Sequence, residues 1–258
     1  MTDTAVEIDV DDAAVFTPAV SGLIGSLGGG WMISSQAKAF NVEHGLRGRQ
    51  GYVLGRGSVL GDVDADVVTS AFGFWPADVI REAWDGGRAV LDVTAARSAY
   101  AETCRSWGRT RLAGLADAGR LAELLSWVVD GLDVAGLPLF AGWRAVPLPG
   151  DDLGRAYQLL QVMREYRGGV HLVASLASGL TPLQAVLAGP GGEGNAAFFG
   201  WEPPFEAAYP YSGTRTDAEA LTDRLVSPAY DVLGHDERGE LLVLVQAAVA
   251  TAYPPKPL

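Results

Sequence analysis

The stretch Trp143–Leu187 constrains this chain more than any other, because it carries the longest clean helical pattern. Leu153, Ala156, Tyr157, Leu160, Met163 and Arg164 fall along one face of a helix capped by Asp151 or Asp152. The spacing predicts a break or bend at Gly168-Gly169 and a further helix over Val170–Ala177, ended by Gly179. Thr181-Pro182-Leu183-Gln184 then opens another, with Thr at the cap, Pro at the first helical position and Gln at the third. An amphipathic helix of this length must be enclosed by other apolar faces.

The rest of the chain supplies those faces at helical spacing. Helices are expected over Ala13–Leu27, Trp31–Glu43, Asp64–Phe74, Ala77–Trp84, Val90–Trp107 and within Leu112–Leu132. Near the C-terminus, Thr216-Asp217-Ala218-Glu219 has the form of a capping box opening a helix to Leu233, and a last helix covers Asp236–Tyr253. No stretch reads convincingly as a strand. The expected fold is therefore all-α, a multi-helix bundle of two intimately packed helical halves, residues 13–135 and 136–258. They follow an acidic tail, residues 1–12, read as disordered. Three segments lack the helical period: the glycine-rich Gly45–Asp62, read as an irregular connector; the Pro- and Gly-rich Gly136–Gly150, read as a packed loop; and Ala188–Gly213. The last, with its six aromatics Phe198–Tyr211, reads as a lid or a brace.

Charge and composition exclude several functions. With 19 Lys+Arg against 31 Asp+Glu the net charge is −12, which disfavours a nucleic-acid partner, since DNA binding draws on phosphate-neutralising cations. The single Cys104 allows neither a disulfide framework nor a cysteine-based metal site. His44, His171 and His235 have no metal-ligand spacing, so no metal is expected. Ser26-Leu27-Gly28-Gly29-Gly30-Trp31 lacks the Lys and Ser/Thr of a phosphate-binding loop, and no nucleophile-elbow or dinucleotide motif is present. No cofactor is expected. The start lacks a secretory pattern and the apolar run Leu241–Ala250 is short for a membrane span, so a cytoplasmic location without membrane contact is expected.

Candidate site residues follow from the same reading. His171 lies just past the expected break, inside an apolar run, as a proton-transfer group; Glu165 is a second candidate acid or base. A histidine that ties two core helices together is the plainer reading of His171. Arg56 and Arg164 are candidate anion holders, and Tyr52 lies four residues before Arg56, on the same face if that stretch coils. Phe74, Trp75, Phe140, Trp143 and Tyr166 are candidate walls of an apolar pocket.

Four segments, Gly51–Trp84, Gly136–Pro149, Leu159–Leu176 and Thr222–Gly234, together resemble the actinobacterial SalK-like family of helix-turn-helix-containing proteins, some encoded near specialised-metabolism gene clusters. The resemblance spans roughly residues 31–253. It implies an all-α fold and a winged helix-turn-helix element in the C-terminal half. Family members carry a winged extension where this chain is short and has Pro203-Pro204 and Tyr209-Pro210-Tyr211. They also tend towards R-E-H-R-G-D where this chain reads Arg164-Glu165-Tyr166-Arg167-Gly168-Gly169. The element is thus expected to be degenerate. Together these features lead to an expectation of an apolar or aromatic small-molecule partner, transformed without cofactor by acid–base chemistry (cyclisation, dehydration or isomerisation) in bacterial specialised metabolism. The alternatives are a ligand-responsive helix-turn-helix transcriptional regulator and a metabolite-sequestering resistance protein. A homodimer stays open.

Overall fold

The computed structural model describes residues 8–254, and all regular structure among them is helical. The order is α1 Ala13–Gly29, α2 Ser35–Glu43, α3 Gln50–Gly57, α4 Ala65–Phe72, α5 Ala77–Arg88, α6 Val93–Arg111 and α7 Ala118–Asp130. The second half continues with α8 Pro138–Arg144, α9 Asp152–Ala177, α10 Pro182–Leu187, α11 Gly192–Phe199, α12 Ser212–Val226 and α13 His235–Ala252. Short 3-10 turns join several of them.

α9 is the axis. At 26 residues it is about 39 Å long, and α1, α6, α7, α8 and α12 all pack directly against it. Its buried residues alternate between aliphatic contacts (Leu159, Leu160, Val162, Met163) and buried polar groups (Gln158, Gln161, Glu165). Asp151 caps it, accepting the Gly154 amide at 2.7 Å. Trp31, Tyr100 and Trp143 form an aromatic knot beside α9, with centroids 4.5–6.4 Å apart in tilted and edge arrangements. One core cluster runs through both halves of the chain: α1 also packs on α13 and on the 3-10 turn Ser227–Tyr230, where Phe16 meets Tyr230 edge-on at 5.4 Å.

Several local expectations are corrected. α9 does not break at Gly168-Gly169 but runs through both glycines. Each glycine costs up to about 1 kcal/mol of helix propensity, and packing of α9 against five helices outweighs that. Gly45–Asp62 is not an irregular connector, since α3 lies within it. Its six glycines divide evenly. Gly45, Gly48 and Gly61 have positive φ, whereas Gly51, Gly55 and Gly57 sit inside α3. A Cβ on Gly55 would lie 2.3 Å from the Tyr100 ring, so that glycine serves close approach of α3 to α6. The Pro-Gly loop Gly136–Gly150 contains α8, with Pro138 in its first turn. The Thr216 box is not a helix start: α12 begins one turn earlier, and the Thr216 hydroxyl donates to the Ser212 carbonyl at 3.1 Å.

The first seven residues of the tail lie outside the described residues. The rest of it is docked rather than disordered: Ile8 and Val10 pack on the core, and Asp12 accepts the Ala14 amide at 2.9 Å. The stretch Ala13–Glu43 is apolar enough by length and composition to cross a membrane. Here it is divided at Ser34, which caps α2, and Phe16, Val20, Ile24 and Leu27 face the core.

Candidate functional site

A cavity of about 280 Å³ opens between α9 and the N-terminal helices. α3 supplies Tyr52 and Arg56; the α4–α5 corner supplies Phe72, Phe74 and Trp75. Leu137–Phe140 close one side, α9 contributes Arg164, Glu165, Arg167, Gly168 and Gly169, and α11 contributes Phe199. A Cβ on Gly168 would meet nothing within 4 Å. Gly168 therefore keeps room beside a continuous helix, whereas Gly169 lets Leu137 approach, whose side chain a Cβ there would meet at 2.8 Å.

The floor of the cavity is a buried ion-pair network. Arg56 donates Nε and one terminal nitrogen to the two Glu165 oxygens at 2.9 and 2.8 Å, and its other terminal nitrogen donates to the Tyr52 hydroxyl at 3.2 Å. The Arg56 guanidinium also lies over the Phe72 ring at 4.6 Å. Glu165 Oε1 further accepts from Gln161 at 2.7 Å and from Arg164 at 2.9 Å. The Glu165 side chain is 1% exposed. Burial alone would raise its carboxyl, but the Arg56 charge and then Arg164 outweigh that and hold it at about 2. It is a permanent anion at neutral pH, with its acceptor positions occupied.

His171 lies one turn beyond Arg167 and Gly168 on α9, behind Phe74, and does not line the cavity. It packs between Phe74, at 5.7 Å between rings, and α12. The Thr222 hydroxyl donates to the Ala218 carbonyl at 2.7 Å, so Nδ1 of His171, 2.9 Å from Thr222 Oγ1, is the donor of that pair. Nε2 then accepts from Ser175 at 3.4 Å. Burial lowers its value to about 4 against the opposing pull of Glu219. This is a neutral histidine tying α9 to α12.

Of the residues singled out in the sequence, the cavity thus gathers Tyr52, Arg56, Phe74, Trp75, Phe140, Arg164 and Glu165. It leaves out His171, Trp143 and Tyr166. Trp143 is in the core at 1% exposure, and Tyr166 packs edge-on against Phe140 at 5.1 Å. Arg167, Phe72 and Phe199 are lining residues that sequence reasoning missed. Arg167 carried a signal, as the cation three residues beyond Arg164; Phe199 carried none, because its position depends on α11.

The short pair α10–α11 stands on its own small apolar clusters, in which Val186, Leu187 and Ala196 meet Phe74, Phe199, Trp201 and Phe205. Thr181 and Gln184 form the capping box expected for α10. A four-residue turn, 188–191, leads into α11, and Gly200 at φ +101° ends it. The end of α11 is pinned to the cavity wall. Trp75 lies 4.8 Å from the Phe199 ring, the Trp201 indole donates to the Phe74 carbonyl at 3.0 Å, and Arg49 donates to the Phe198 carbonyl at 3.0 Å. The rest of α11 is open to solvent, including Glu193, Gly194, Asn195, Ala197 and Phe198. Near it, Lys38 and Arg49 are exposed and in no ion pair among the described residues, as is Arg47, two residues before Arg49 in the chain. Lys38, Arg49, Trp75 and Phe198 share the rim of a second hollow.

The profile of a helix-turn-helix family matches residues 23–208, more than half of the chain. No curated protein and no solved structure matches. The family match overturns the expectation of a cofactor-independent acid–base enzyme acting on an apolar or aromatic substrate, and supports the helix-turn-helix alternative.

Proposed function

We propose, for a chain that belongs to this helix-turn-helix family, that it is a ligand-responsive DNA-binding regulator. The family match over residues 23–208 carries this reading, because its C-terminal end takes in the α10–turn–α11 pair. In this reading α11 is the element presented to the DNA groove, with Asn195 the side chain able to pair with a base edge. α11 has no Lys or Arg of its own. The phosphate contacts fall instead to Lys38, Arg47 and Arg49, which explains how an acidic protein with net charge −12 meets a polyanion through one local patch. The cavity is the effector site: Phe199 belongs both to its wall and to α11, so a molecule that displaces Phe199 moves the reading element. The finer resemblance to actinobacterial SalK-like proteins and a cytoplasmic location belong to the same proposal.

The test is selection from a random duplex library followed by fluorescence anisotropy. Three phosphate contacts per chain give a log–log salt slope of about −2.7, or an affinity loss of about 40-fold between about 50 and 200 mM salt. Lys38→Gln/Arg47→Gln/Arg49→Gln is expected to flatten that slope, and Asn195→Ala to relax sequence preference without flattening it. Absence of any enriched sequence, with no binding at about 50 mM salt, would overturn the proposal.

A further inference from the structure

We infer that the cavity takes a small, flat aromatic molecule bearing one carboxylate, held by Arg164 and Arg167. This rests on reading the cavity as the effector site and names the chemistry of its ligand. Four charged side chains line the cavity: Arg56, Arg164, Arg167 and Glu165. Arg56 is closed to a ligand, because Glu165 takes two of its nitrogens and Tyr52 the third. Glu165 is closed as well, with four donors on its two oxygens and almost no exposure. The pair cancels.

Two cations remain. Arg164 gives one nitrogen to Glu165 and is 26% exposed. Arg167 gives one nitrogen to Glu219 on α12, and its Nε is buried with no partner among the described residues. Its guanidinium also lies 3.8 Å from Asp223, and its other terminal nitrogen makes no hydrogen bond among the described residues, which leaves a donor for a ligand. The two arginines are three apart on α9, hence on one face, and both line the cavity. Their planar forks match a carboxylate. No uncommitted acidic side chain faces them inside the cavity, so a cationic ligand is disfavoured.

Five rings, Phe72, Phe74, Trp75, Phe140 and Phe199, line the other walls together with aliphatic Leu137, Leu139 and Leu172. At about 280 Å³ the space lies at the small end of ligand pockets, which suits one or two fused rings. Gly168 keeps it open, since any larger side chain there would project into it.

The probes are 2-naphthoate and its neutral isostere 2-naphthamide, titrated calorimetrically into the full chain without DNA. The acid is expected to bind at least about tenfold more tightly than the amide. Arg164→Gln is expected to bring the two together by weakening the acid alone, and Gly168→Leu to abolish both. Equal affinity for acid and amide in the wild type, no heat from either at about 1 mM, or displacement of naphthoate by an equal concentration of acetate would each overturn the inference. Because DNA is absent, these outcomes leave the DNA-binding reading untouched. A failed DNA selection likewise leaves the titration result standing.

Discussion

Removing the charge of Glu165 tests whether the floor of the cavity is an ion-pair network or merely a polar patch. In Glu165→Gln the Arg56 guanidinium, 9% exposed, would face an amide that offers one acceptor where there had been two charged ones. Breaking one side of a buried pair typically costs about 3–5 kcal/mol, because the remaining charge stays desolvated. The protonation linkage has the same sign. A carboxyl held at about 2 rather than its ordinary 4.5 contributes about 3 kcal/mol at neutral pH. That stability is present above pH 4.5, the value of the unfolded chain, and is lost as pH falls towards 2. For a chain of this size about 2–4 °C of Tm accompanies each kcal/mol, so Glu165→Gln is expected to melt about 6–20 °C below wild type at pH 7. Differential scanning calorimetry and urea unfolding measure this directly. The double variant Arg56→Met/Glu165→Leu, which removes both charges, is expected to be less destabilised than Glu165→Gln. A Glu165→Gln protein within about 1 kcal/mol of wild type would refute the reasoning, as would a double variant worse than the single.

Two further expectations concern neighbouring parts of the fold. His171 is held neutral by burial, at about 4 against an ordinary 6.5, with Glu219, Arg215 and Arg167 around it. The unfolded chain therefore takes up a proton that the folded one refuses, and stability falls as pH drops from 6.5 towards 4. Urea midpoints at pH 7 and pH 5 should differ less for His171→Gln than for wild type; an unchanged difference would show that His171 is not the source. Two helical glycines should respond with opposite signs. Gly168→Ala, with open space at its Cβ, is expected to stabilise by about 0.5–1 kcal/mol. Gly55→Ala, whose Cβ would lie against the buried Tyr100 ring, is expected to destabilise by about 1–3 kcal/mol or more. Chemical denaturation distinguishes the two.

What the sequence could and could not reveal follows from how local each signal is. The helical period was legible because burial of one face imposes it residue by residue. The Thr181–Gln184 box and the last helix, at His235–Ala252, lie where their local chemistry puts them. Glycine misled because two of its uses look alike in sequence. Gly48 and Gly55 differ only in that Gly48 needs a positive φ, whereas Gly55 needs a missing Cβ beside a ring 45 residues away. Thr216-Asp217-Ala218-Glu219 misled for the opposite reason. The motif is locally perfect, but the 3-10 turn Tyr209–Tyr211 starts the helix before it.

The site shows the same division at longer range. Tyr52 and Arg56 were legible as a pair because four residues make one helical turn. Arg56 and Glu165 were both singled out, yet their pairing spans 109 positions and no local rule reaches that far. That pairing changes their chemistry. Apart, each was a candidate reactant; together they hold each other in one protonation state, and the unpartnered capacity passes to Arg164 and Arg167. The acidic total is likewise a statement about the whole chain and not about any one place on it. A net charge of −12 is a sum over the whole chain, whereas the proposed DNA contact depends on local cations, and Lys38 and Arg49 near α11 are in no ion pair among the described residues. Charge counted along the chain disfavoured a nucleic-acid partner. Locally there are two cationic places, Arg164 and Arg167 at the cavity and Lys38 and Arg49 outside it, and Trp75 touches Phe199 and Phe198 of α11 between them. Under the proposed regulator reading these would be the effector and DNA sites, coupled because both touch α11.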